Sequence, residues 1–408
     1  MHFGRAQKAT SLKRGRENLN KKMKILHVVI SLAPEWGGPT KMVHELTEAL
    51  VEKGVEISLF APMRRGGEAE ITCPKGVNMQ LFEEGFGARL WPGYSPGLAR
   101  KVMQEMGKFD LVHIHELWSH PHLVASQAAR KSGKPYVVTV HGGLEPWAIN
   151  HKAFKKKIYL ALFQRRILQR AAALHAITDE EVKHIRACGI DNEILMIPNG
   201  INPQEFCSLP VRREMERLYP QLVGKQVVLF LGRLHPIKGL DILARAFGKV
   251  AKKREDICLL IVGPDSEGYK AEVVKILVSE GALDKVVFAG MLIGYEKLAV
   301  LGGSDVCVIP SYSEVRSIVA LEAMSCGLPI IITRQCYFPE VVEGGAGLVI
   351  EPEVEQLATA MEMLLREPQL RQEMGRNGQR LVNDKFIWDK IANQMHGLYE
   401  TVLKQGAK

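Results

Sequence analysis

The stretch GKQVVLFLGRL, from Gly224 to Leu234, decides the fold of this chain of 408 residues. It holds an uninterrupted apolar run, VVLFL, which ends at a glycine and is followed by a segment of helical length. Continuous apolar runs of this kind are typical of parallel strands that helices cover on both faces. The same pattern opens near residue 23 with KILHVVIS, so the stretch at Gly224 indicates where a second domain begins.

Strand-like runs alternate with helix-length segments on both sides of that point. The predicted strands are KILHVVIS, VEISLF, DLVHIH, PYVVTV, ALHAIT and ILMIP in the first half and VVLFLG, CLLIVG, VVFAG, DVCVIP, PIIIT and GLVIE in the second. Such alternation forms right-handed βαβ units and an open parallel sheet. Because the chain is too long for one ordinary core, we predict an α/β protein with two Rossmann-like domains.

Composition and turn signals set the expected domain limits. Residues 1–22 form a basic tail that we expect to be disordered, and residues 23–200 form the first domain. A proline-containing linker at about 200–223 leads into the second domain, 201–385. The last segment, 386–408, is predicted to be a helix that could pack back on the first domain.

The net charge of +9 is concentrated in the tail, because residues 1–22 hold seven Lys or Arg and one Glu. The tail lacks the apolar core of a signal peptide. We interpret it as an extension ahead of a natural start at Met23; a nucleic-acid-binding arm is the alternative. No aromatic interleaving or binding motif accompanies the basic residues, so we expect no nucleic-acid partner.

Cysteine usage and hydropathy indicate the compartment. The seven cysteines are scattered and form no C-x-x-C pair, a pattern that favours a reducing cytoplasm over a disulfide framework or a zinc site. The sequence also lacks a run of about 18 uncharged apolar residues, so we predict no transmembrane helix.

In parallel sheets, ligands bind at the carboxyl ends of the strands. In the first half of the chain, two segments that directly follow predicted strands are therefore candidates for ligand binding. Gly37 and Gly38 precede a predicted helix start near Pro39 and form either a substrate-approach loop or a plain turn. His141 follows the strand PYVVTV, where it either points into a cleft or serves as a structural histidine. Glu145 and Trp147 follow within reach of the same opening.

Two further histidines, His113 and His115, end the strand LVHIH. Residues two apart on a strand point to the same face of a sheet, so the pair could contribute to a metal site. No third ligand has metal-like spacing, however, and we expect no metal.

In the second half, the loop FLGRLHPIKG places Arg233 and Lys238 directly after the strand VVLFL. Two cations followed by the start of a helix are suited to binding a phosphate. Solvated surface charge is the alternative for these two residues.

The stretch SEVRSIVALEAMSCG places two acids around a predicted helix that starts near Ser317 and stops at Gly327. Glu314 lies in the loop before the helix and Glu322 in its second turn. The free N–H groups of the first turn lie between the two acids and could bind a phosphate, while the carboxylates bind hydroxyls. A pair of acids for glycoside hydrolysis is the rival interpretation.

Together these motifs resemble the retaining glycosyltransferases of the GT-B fold, glycosyltransferase family 4 type. The resemblance rests on E-x7-E at Glu314 and Glu322, on G-R-x4-K from Gly232 to Lys238, and on the Gly-Gly and His-Gly pairs of the first half. The phrases IPNGIN and EAMSCGLPII are also similar to that family. The resemblance covers roughly residues 23–400 and implies two domains that face each other across a cleft.

The resemblance implies a nucleotide-diphosphate sugar in the second domain. Arg233 and Lys238 would neutralise the diphosphate leaving group, and no metal cofactor would be needed, since the sequence has no D-x-D motif. Glu314 would touch the hydroxyls of the donor sugar, and Glu322 would bind those of the ribose. His141 would lie beside the transferred sugar.

The remaining contacts implied for the donor come from loops and backbone amides. These residues are Gly37, Gly38, Gly263, Met291, Ser317, Ile318 and Val319. Val315, Arg316 and Ser317 depart from the family, which usually has Gly-Phe-Gly or a similar run after the first acid. Arg316 would therefore either add a phosphate contact or face solvent.

The segment 151–170 carries seven Lys or Arg and no acid, with apolar residues at roughly helical spacing. Such a helix either lies on an anionic membrane or packs in the core with a solvated basic face. We expect a carbohydrate or lipid-linked acceptor and a location in the cytoplasm, with contact to the inner face of the membrane as an option. The rival functions are a sugar-nucleotide epimerase, a phosphorylase, and a non-catalytic nucleotide-sugar-binding protein.

Overall fold

The computed structural model describes residues 22–33, 36–64, 66, 71–150, 159–265 and 267–406. The side chains of Asn150, Ala161 and Leu162 also fall outside this description. The expected disordered tail lies outside the described residues except for Lys22, and so do residues 151–158 of the basic segment.

The first domain is built on a parallel sheet of seven strands. The strands are β1 Lys24–Val28, β2 Glu56–Met63, β3 Asn78–Glu83, β4 Leu111–His115, β5 Tyr136–Thr139, β6 Ala173–Ala176 and β7 Ile194–Met196. The order across the sheet is β3-β2-β1-β4-β5-β6-β7. The strand order therefore reverses at β1, which has β2 on one side and β4 on the other. The helices are α1 Gly38–Glu52, α2 Pro96–Glu105, α3 His120–Lys131, α4 Pro146–Asn150, α5 Arg165–Gln169 and α6 Asp179–Ala187.

The second domain repeats this plan with six parallel strands. The strands are β8 Gln226–Leu231, β9 Ile257–Val262, β10 Val286–Gly290, β11 Val306–Ile309, β12 Ile330–Thr333 and β13 Gly347–Ile350, in the order β10-β9-β8-β11-β12-β13. The helices are α7 Arg212–Leu218, α8 Leu240–Ala251, α9 Lys270–Glu280, α10 Gly294–Gly303, α11 Ile318–Ser325, α12 Glu340–Glu343, α13 Val354–Arg366 and α14 Pro368–Lys385.

All twelve predicted strands are present, and the prediction of an α/β protein with two Rossmann-like domains is confirmed. The sequence did not indicate β3, because this edge strand is partly exposed along its whole length. Edge strands with one face in solvent lack the continuous apolar run that marks a buried parallel strand.

The chain crosses between the domains twice, at neighbouring points. The backbone N–H of Ile201 donates to the carbonyl of Phe386 at 2.8 Å, and that of Trp388 donates to the carbonyl of Ile201 at 3.2 Å. The final helix, α15 (Trp388–Gly406), then packs its apolar face, which includes Met395 and Tyr399, into the core of the first domain.

None of the described helices combines the length and hydropathy that a bilayer span requires.

Candidate active site

The carboxyl ends of the two sheets face each other across a narrow cleft. A Cβ placed on Gly38, at the start of α1, would lie 3.6 Å from Ile318 Cγ1 of the second domain. A Cβ placed on Gly142 would lie only 2.6 Å from Val315 Cγ2, and Gly142 has a φ of 71°. A larger residue at this position would therefore strain the backbone and keep the domains apart.

Helix α11 begins at this cleft. It spans Ile318–Ser325, and Ser317 takes the N-cap position without making a side-chain cap. The first-turn N–H groups of a helix have no intrahelical partner, so the amides of Ser317, Ile318 and Val319 are oriented for an acceptor in the cleft. The sequence predicted both the start and the end of this helix.

Glu322 lies one turn inside α11 and is almost fully buried between two lysines. Lys41 Nζ of the first domain lies 2.8 Å from Glu322 Oε1, and Lys297 Nζ lies 2.6 Å from Oε2. Burial alone would raise the pKa of Glu322, but the two lysines hold it below its usual range. Burial alone would lower the pKa of Lys41, but the carboxylates of Glu322, Glu45 and Glu205 raise it. Glu322 therefore remains an anion although it is buried.

Lys238 and Glu314 form the second ion pair of the cleft, with about a fifth of each side chain exposed. Lys238 lies at the end of a short 3₁₀ turn that follows β8, and Glu314 follows β11, the neighbouring strand. Arg233 leaves the same strand as Lys238 and is exposed to solvent. The structure thus brings three of the predicted charged residues to one edge of the second sheet.

A buried acid of the first domain contacts this edge from across the cleft. Glu145 accepts a hydrogen bond from the hydroxyl of Ser313, which immediately precedes Glu314. Burial raises the pKa of Glu145 to about 8, with the charges of Glu181 and Glu314 adding to the effect and that of Lys238 opposing it. Glu145 therefore carries a proton near neutral pH.

Glu181 supports the loop that carries His141. Its two carboxylate oxygens accept the backbone N–H groups of Gly142 at 2.6 Å and of Ile177 at 2.7 Å. Burial raises the pKa of Glu181 to about 7. This carboxyl fixes the turn between β5 and α4.

His141 lies at the first domain's side of the cleft with a φ of 49°. Its Nε2 lies 3.2 Å from Nδ1 of His115, and the two rings are stacked with their centroids 5.5 Å apart. Burial lowers the pKa of His141 to about 3, so the ring is neutral.

Arg316 does not face solvent, as one of the two sequence interpretations had it. Its side chain is 4% exposed and donates to Glu340 at 2.9 Å, and its Cζ packs against the rings of Phe338 and Phe386, 4.8 and 5.2 Å from their centroids. Its φ of 47° is left-handed, a conformation that is uncommon for residues other than glycine. The guanidinium is thus engaged inside the second domain.

Two predicted donor contacts, Gly263 and Met291, lie at the ends of β9 and β10. A Cβ on Gly263 would fall 1.8 Å from the carbonyl oxygen of Gly232, so only glycine allows the loop beside Arg233 to adopt this path. Met291 is 46% exposed next to it.

His27, His113 and His115 offer nitrogen atoms that all lie within 4.8 Å of one another. His27 is the third residue that spacing along the chain did not reveal, because it lies on β1, which pairs with β4. Each of the three rings has hydrogen-bonded neighbours among the described residues.

The sequence did not indicate several other residues of the cleft. Lys41 and Lys297 occupy helix positions that nothing in the local sequence distinguishes. Ser313 and Glu181 become relevant only through their contacts with Glu145 and Gly142, which lie 168 and 39 residues away in the chain. The position of Lys41, one turn after Gly38, is the only signal that sequence reasoning had for this group.

The comparisons with known proteins agree with this architecture. The model of the Glycosyl transferase 4-like domain matches residues 37–200, and that of Glycosyl transferases group 1 matches residues 212–381. The two matches cover most of both domains, and the gap between them, residues 201–211, lies within the predicted linker.

A curated relative aligns along most of the chain. The phosphatidyl-myo-inositol mannosyltransferase of Mycobacterium leprae is 29% identical over 91% of this chain and 95% of its own length. The sucrose-phosphate synthase from Thermosynechococcus elongatus matches with a TM-score of 0.75 and 22% identity over 94% of this chain and 100% of that chain. HepE of Anabaena, solved with UDP and glucose, matches with a TM-score of 0.76 and 20% identity over 93% and 100%.

The fold and the cleft define a two-domain glycosyltransferase of the GT-B type. The chain belongs to the group 1 glycosyltransferases, as the motifs at Arg233, Lys238, Glu314 and Glu322 led us to expect.

Proposed function

We propose that the protein transfers a sugar, with retention of its anomeric configuration, from a nucleotide-diphosphate sugar to a carbohydrate or lipid-linked acceptor. The observation that carries this proposal is the arrangement of Lys238, Glu314, Glu322 and the start of α11 along one edge of the cleft. A cation, hydroxyl-binding carboxylates and free amides together suit a diphosphate that joins two polyhydroxylated groups.

Donor chemistry follows from the charges. Loss of a nucleoside diphosphate develops negative charge, and preorganised cations stabilise that charge most in a site that excludes water. We assign this role to Lys238 and Arg233, with Glu314 on the donor sugar and Glu322 on the ribose. A protein with these cations needs no metal, so we expect that EDTA leaves the rate unchanged.

Acceptor chemistry is assigned to the first domain. His141 and Glu145 approach the same part of the cleft from β5 and α4, and both are neutral near pH 7. Neutral hydrogen-bonding groups suit the hydroxyls of a sugar acceptor, whereas a second charged wall would suit another anion.

Two measurements test the proposal. Thermal stabilisation by UDP, GDP and ADP identifies the base, since at equal concentration the ligand that binds the folded state most tightly stabilises it most. The protein is then incubated with the matching sugar nucleotides and a panel of polysaccharide and lipid-linked acceptors. Acceptor-dependent release of nucleoside diphosphate and an α-configured product from an α-donor would support retaining transfer. Free epimerised donor, or sugar phosphate formed from inorganic phosphate, would refute it.

We further propose peripheral contact with an anionic membrane, through an aromatic–basic surface on the first domain. This surface consists of Phe86, Arg89, Leu90, Phe163 and Arg166, all of them exposed. Phe86 and Leu90 are 89% and 94% exposed. The ring of Trp91 lies 6.4 Å from that of Tyr159, which lies 5.5 Å from that of Phe163, so the two parts of the surface adjoin. Apolar side chains flanked by cations are typical of helices and loops that lie on anionic lipid.

A further inference from the structure

A row of buried polar side chains crosses the first sheet underneath the cleft. We call it the histidine chain, and its members are His175, Thr139, His113, Tyr399, His27, His115 and, at the cleft, His141. Apart from His141, each is at most 3% exposed. Strand register brings the members together, because His27 pairs with His113, His115 with Thr139, and Thr139 with His175 on adjacent strands.

The histidine chain begins at the backbone carbonyl of Ile197, which directly follows β7. His175 Nε2 lies 2.8 Å from the carbonyl oxygen of Ile197. Thr139 Oγ1 lies 2.7 Å from His175 Nδ1 and 2.6 Å from His113 Nε2.

The second half passes through the C-terminal helix α15 and returns to the cleft. The hydroxyl of Tyr399 lies 2.7 Å from His113 Nδ1 and 3.3 Å from His27 Nε2. His27 Nδ1 lies 2.9 Å from His115 Nε2, and His115 Nδ1 lies 3.2 Å from His141 Nε2. Each link uses a different ring nitrogen, so the chain is continuous.

The carbonyl at the far end determines the direction of every hydrogen bond. A carbonyl only accepts, so His175 must donate from Nε2, and its Nδ1 then accepts from Thr139. Thr139 in turn accepts from His113 Nε2, whose Nδ1 accepts from the hydroxyl of Tyr399. Burial keeps these rings neutral, because it lowers the pKa of His175 to about 4 and that of His113 well below its usual value.

The same direction continues to the cleft. Tyr399 accepts from His27 Nε2, His27 accepts from His115 Nε2, and His115 accepts from His141 Nε2. Burial lowers the pKa of His27 to about 3 and that of His115 well below its usual value, so neither ring donates from both nitrogens. His141 therefore carries its proton on Nε2, and its Nδ1 presents a lone pair that has no hydrogen-bond partner among the described residues.

We propose that the histidine chain fixes His141 as the Nε2–H tautomer, with Nδ1 ready to accept a hydrogen bond from a sugar hydroxyl in the cleft. This role for His141 rests on the proposed function, whereas the tautomer itself does not. Thr139, Tyr399, His27 and His115 are then positioning residues, because they act through His141 and do not touch the sugar.

The chain orients His141 and does not conduct protons away from it. A proton relay needs a final group that can take up or release a proton, but the carbonyl of Ile197 does neither at neutral pH. The gain is preorganisation: a ring held in one tautomer and orientation loses less free energy when the substrate binds.

Tyr399→Phe is the direct test, because it removes one hydroxyl from the middle of the chain and keeps the ring. The matched control is Tyr136→Phe, which removes the buried hydroxyl that donates to the carbonyl of Ile167 at 2.6 Å in the same domain but outside the chain. Thr139→Val is the second interrupting variant, in case Tyr399→Phe fails to fold.

The readout is the ring ¹⁵N spectrum of histidine-labelled protein without substrate, with the His141 signals assigned from a His141→Ala sample. Wild type and Tyr136→Phe should show His141 with an unprotonated Nδ1 and a protonated Nε2. Tyr399→Phe or Thr139→Val should show a mixture of both tautomers. Unchanged His141 signals in both interrupting variants would overturn the proposal. So would one zinc ion per chain in the purified protein, bound by His27, His113 and His115.

Transfer activity separates this inference from the proposed function. We expect kcat to fall about 10-fold in Tyr399→Phe with little change in the KM for the donor, the lower end of the 10- to 100-fold cost of losing a partner that orients a metal-ligating histidine. Tyr136→Phe should retain wild-type kcat. A protein without transferase activity would refute the proposed function, and the tautomer measurement would still decide the inference.

Discussion

The two sheets meet the cleft with opposite chemistry. At the carboxyl edge of the second sheet, Lys238 pairs with Glu314, and Glu322 lies between Lys41 and Lys297. At the same edge of the first sheet, the histidine chain ends in the neutral ring of His141, and Glu145 is protonated near neutral pH. One Rossmann-like plan can therefore present charge on one side of a cleft and neutral hydrogen-bonding groups on the other.

The difference follows from which buried groups have a partner of opposite charge. A buried charge is tolerated only with a partner, and Glu322 has two, Lys41 from α1 of the first domain and Lys297 from α10 of the second. The histidines and Glu145 lack an adjacent opposite charge that outweighs desolvation, so they stay neutral. A diphosphate is matched by the first kind of surface and a sugar hydroxyl by the second.

The largest effect is expected from Lys238→Ala, which removes a cation from the charged side of the cleft. If Lys238 stabilises the leaving diphosphate, kcat/KM should fall by about 100- to 1000-fold, the usual cost of one preorganised electrostatic group. Steady-state release of nucleoside diphosphate measures this.

Lys249→Ala is the matched control for Lys238→Ala. Lys249 also pairs with a glutamate, Glu355, in the second domain, but on the exposed surface. Such pairs contribute about 0–1 kcal/mol to stability, so turnover should stay at the wild-type level. Equal loss of turnover in the two variants would remove Lys238 from the site.

Glu322→Gln comes next and tests the buried anion. The substitution keeps the shape and leaves Lys297 without its carboxylate, while Lys41 retains Glu45 and Glu205 at 3.3 and 3.2 Å. We expect a loss of about 2 kcal/mol in the free energy of unfolding, the scale of a hydrogen bond to a charged group. The urea midpoint at constant slope measures this, and an effect no larger than that of Glu355→Gln would contradict it.

The sequence predicted more of the charged side than of the neutral side. Glu314, Glu322, Arg233 and Lys238 stand in loops and helix starts directly after strands, where the rule for parallel sheets locates ligands. Their partners Lys41 and Lys297 lie on helices that only tertiary packing brings to Glu322, and no spacing along the chain reports that contact.

The neutral side depends on register, which the strand patterns do not specify. His27 and His175 sit inside strands that read as apolar runs, where a single histidine looks like a structural residue. The pair His113 and His115 suggested only a metal site without a third ligand. Their alignment requires the strand order β1-β4-β5-β6. The hydroxyl of Tyr399 comes from α15, 286 residues after His113, and its arrival there could not be read from local pattern. The strands themselves could be predicted, because each buried parallel strand is a continuous apolar run in the local sequence. Their order in the sheet leaves no such local signal.

Glu145→Gln is expected to change how stability depends on pH. The folded-state pKa of Glu145, about 8, lies above its ordinary value because of burial, so the folded protein binds a proton that the unfolded chain has released. Stability from this group is therefore complete below the ordinary pKa and is lost as pH rises toward 8, by at most about 1.4 kcal/mol per pH unit. Glu145→Gln should be less sensitive than wild type between about pH 5 and 8 in thermal unfolding. Parallel curves for the two proteins, with Glu355→Gln as control, would show that Glu145 is ionised throughout.

The smallest effect concerns the aromatic–basic surface, outside the cleft. Arg166→Gln removes one exposed cation beside Phe163, and near an anionic surface one cation contributes about 1 kcal/mol, or roughly a 5-fold change in partitioning. Flotation with vesicles of phosphatidylglycerol and phosphatidylcholine at low salt measures it. Arg213→Gln, an exposed arginine of the second domain, should bind like wild type. Because the interaction is electrostatic, the difference between the two variants should shrink as salt is raised. Equal binding of both variants at low salt would place the membrane contact elsewhere or abolish it.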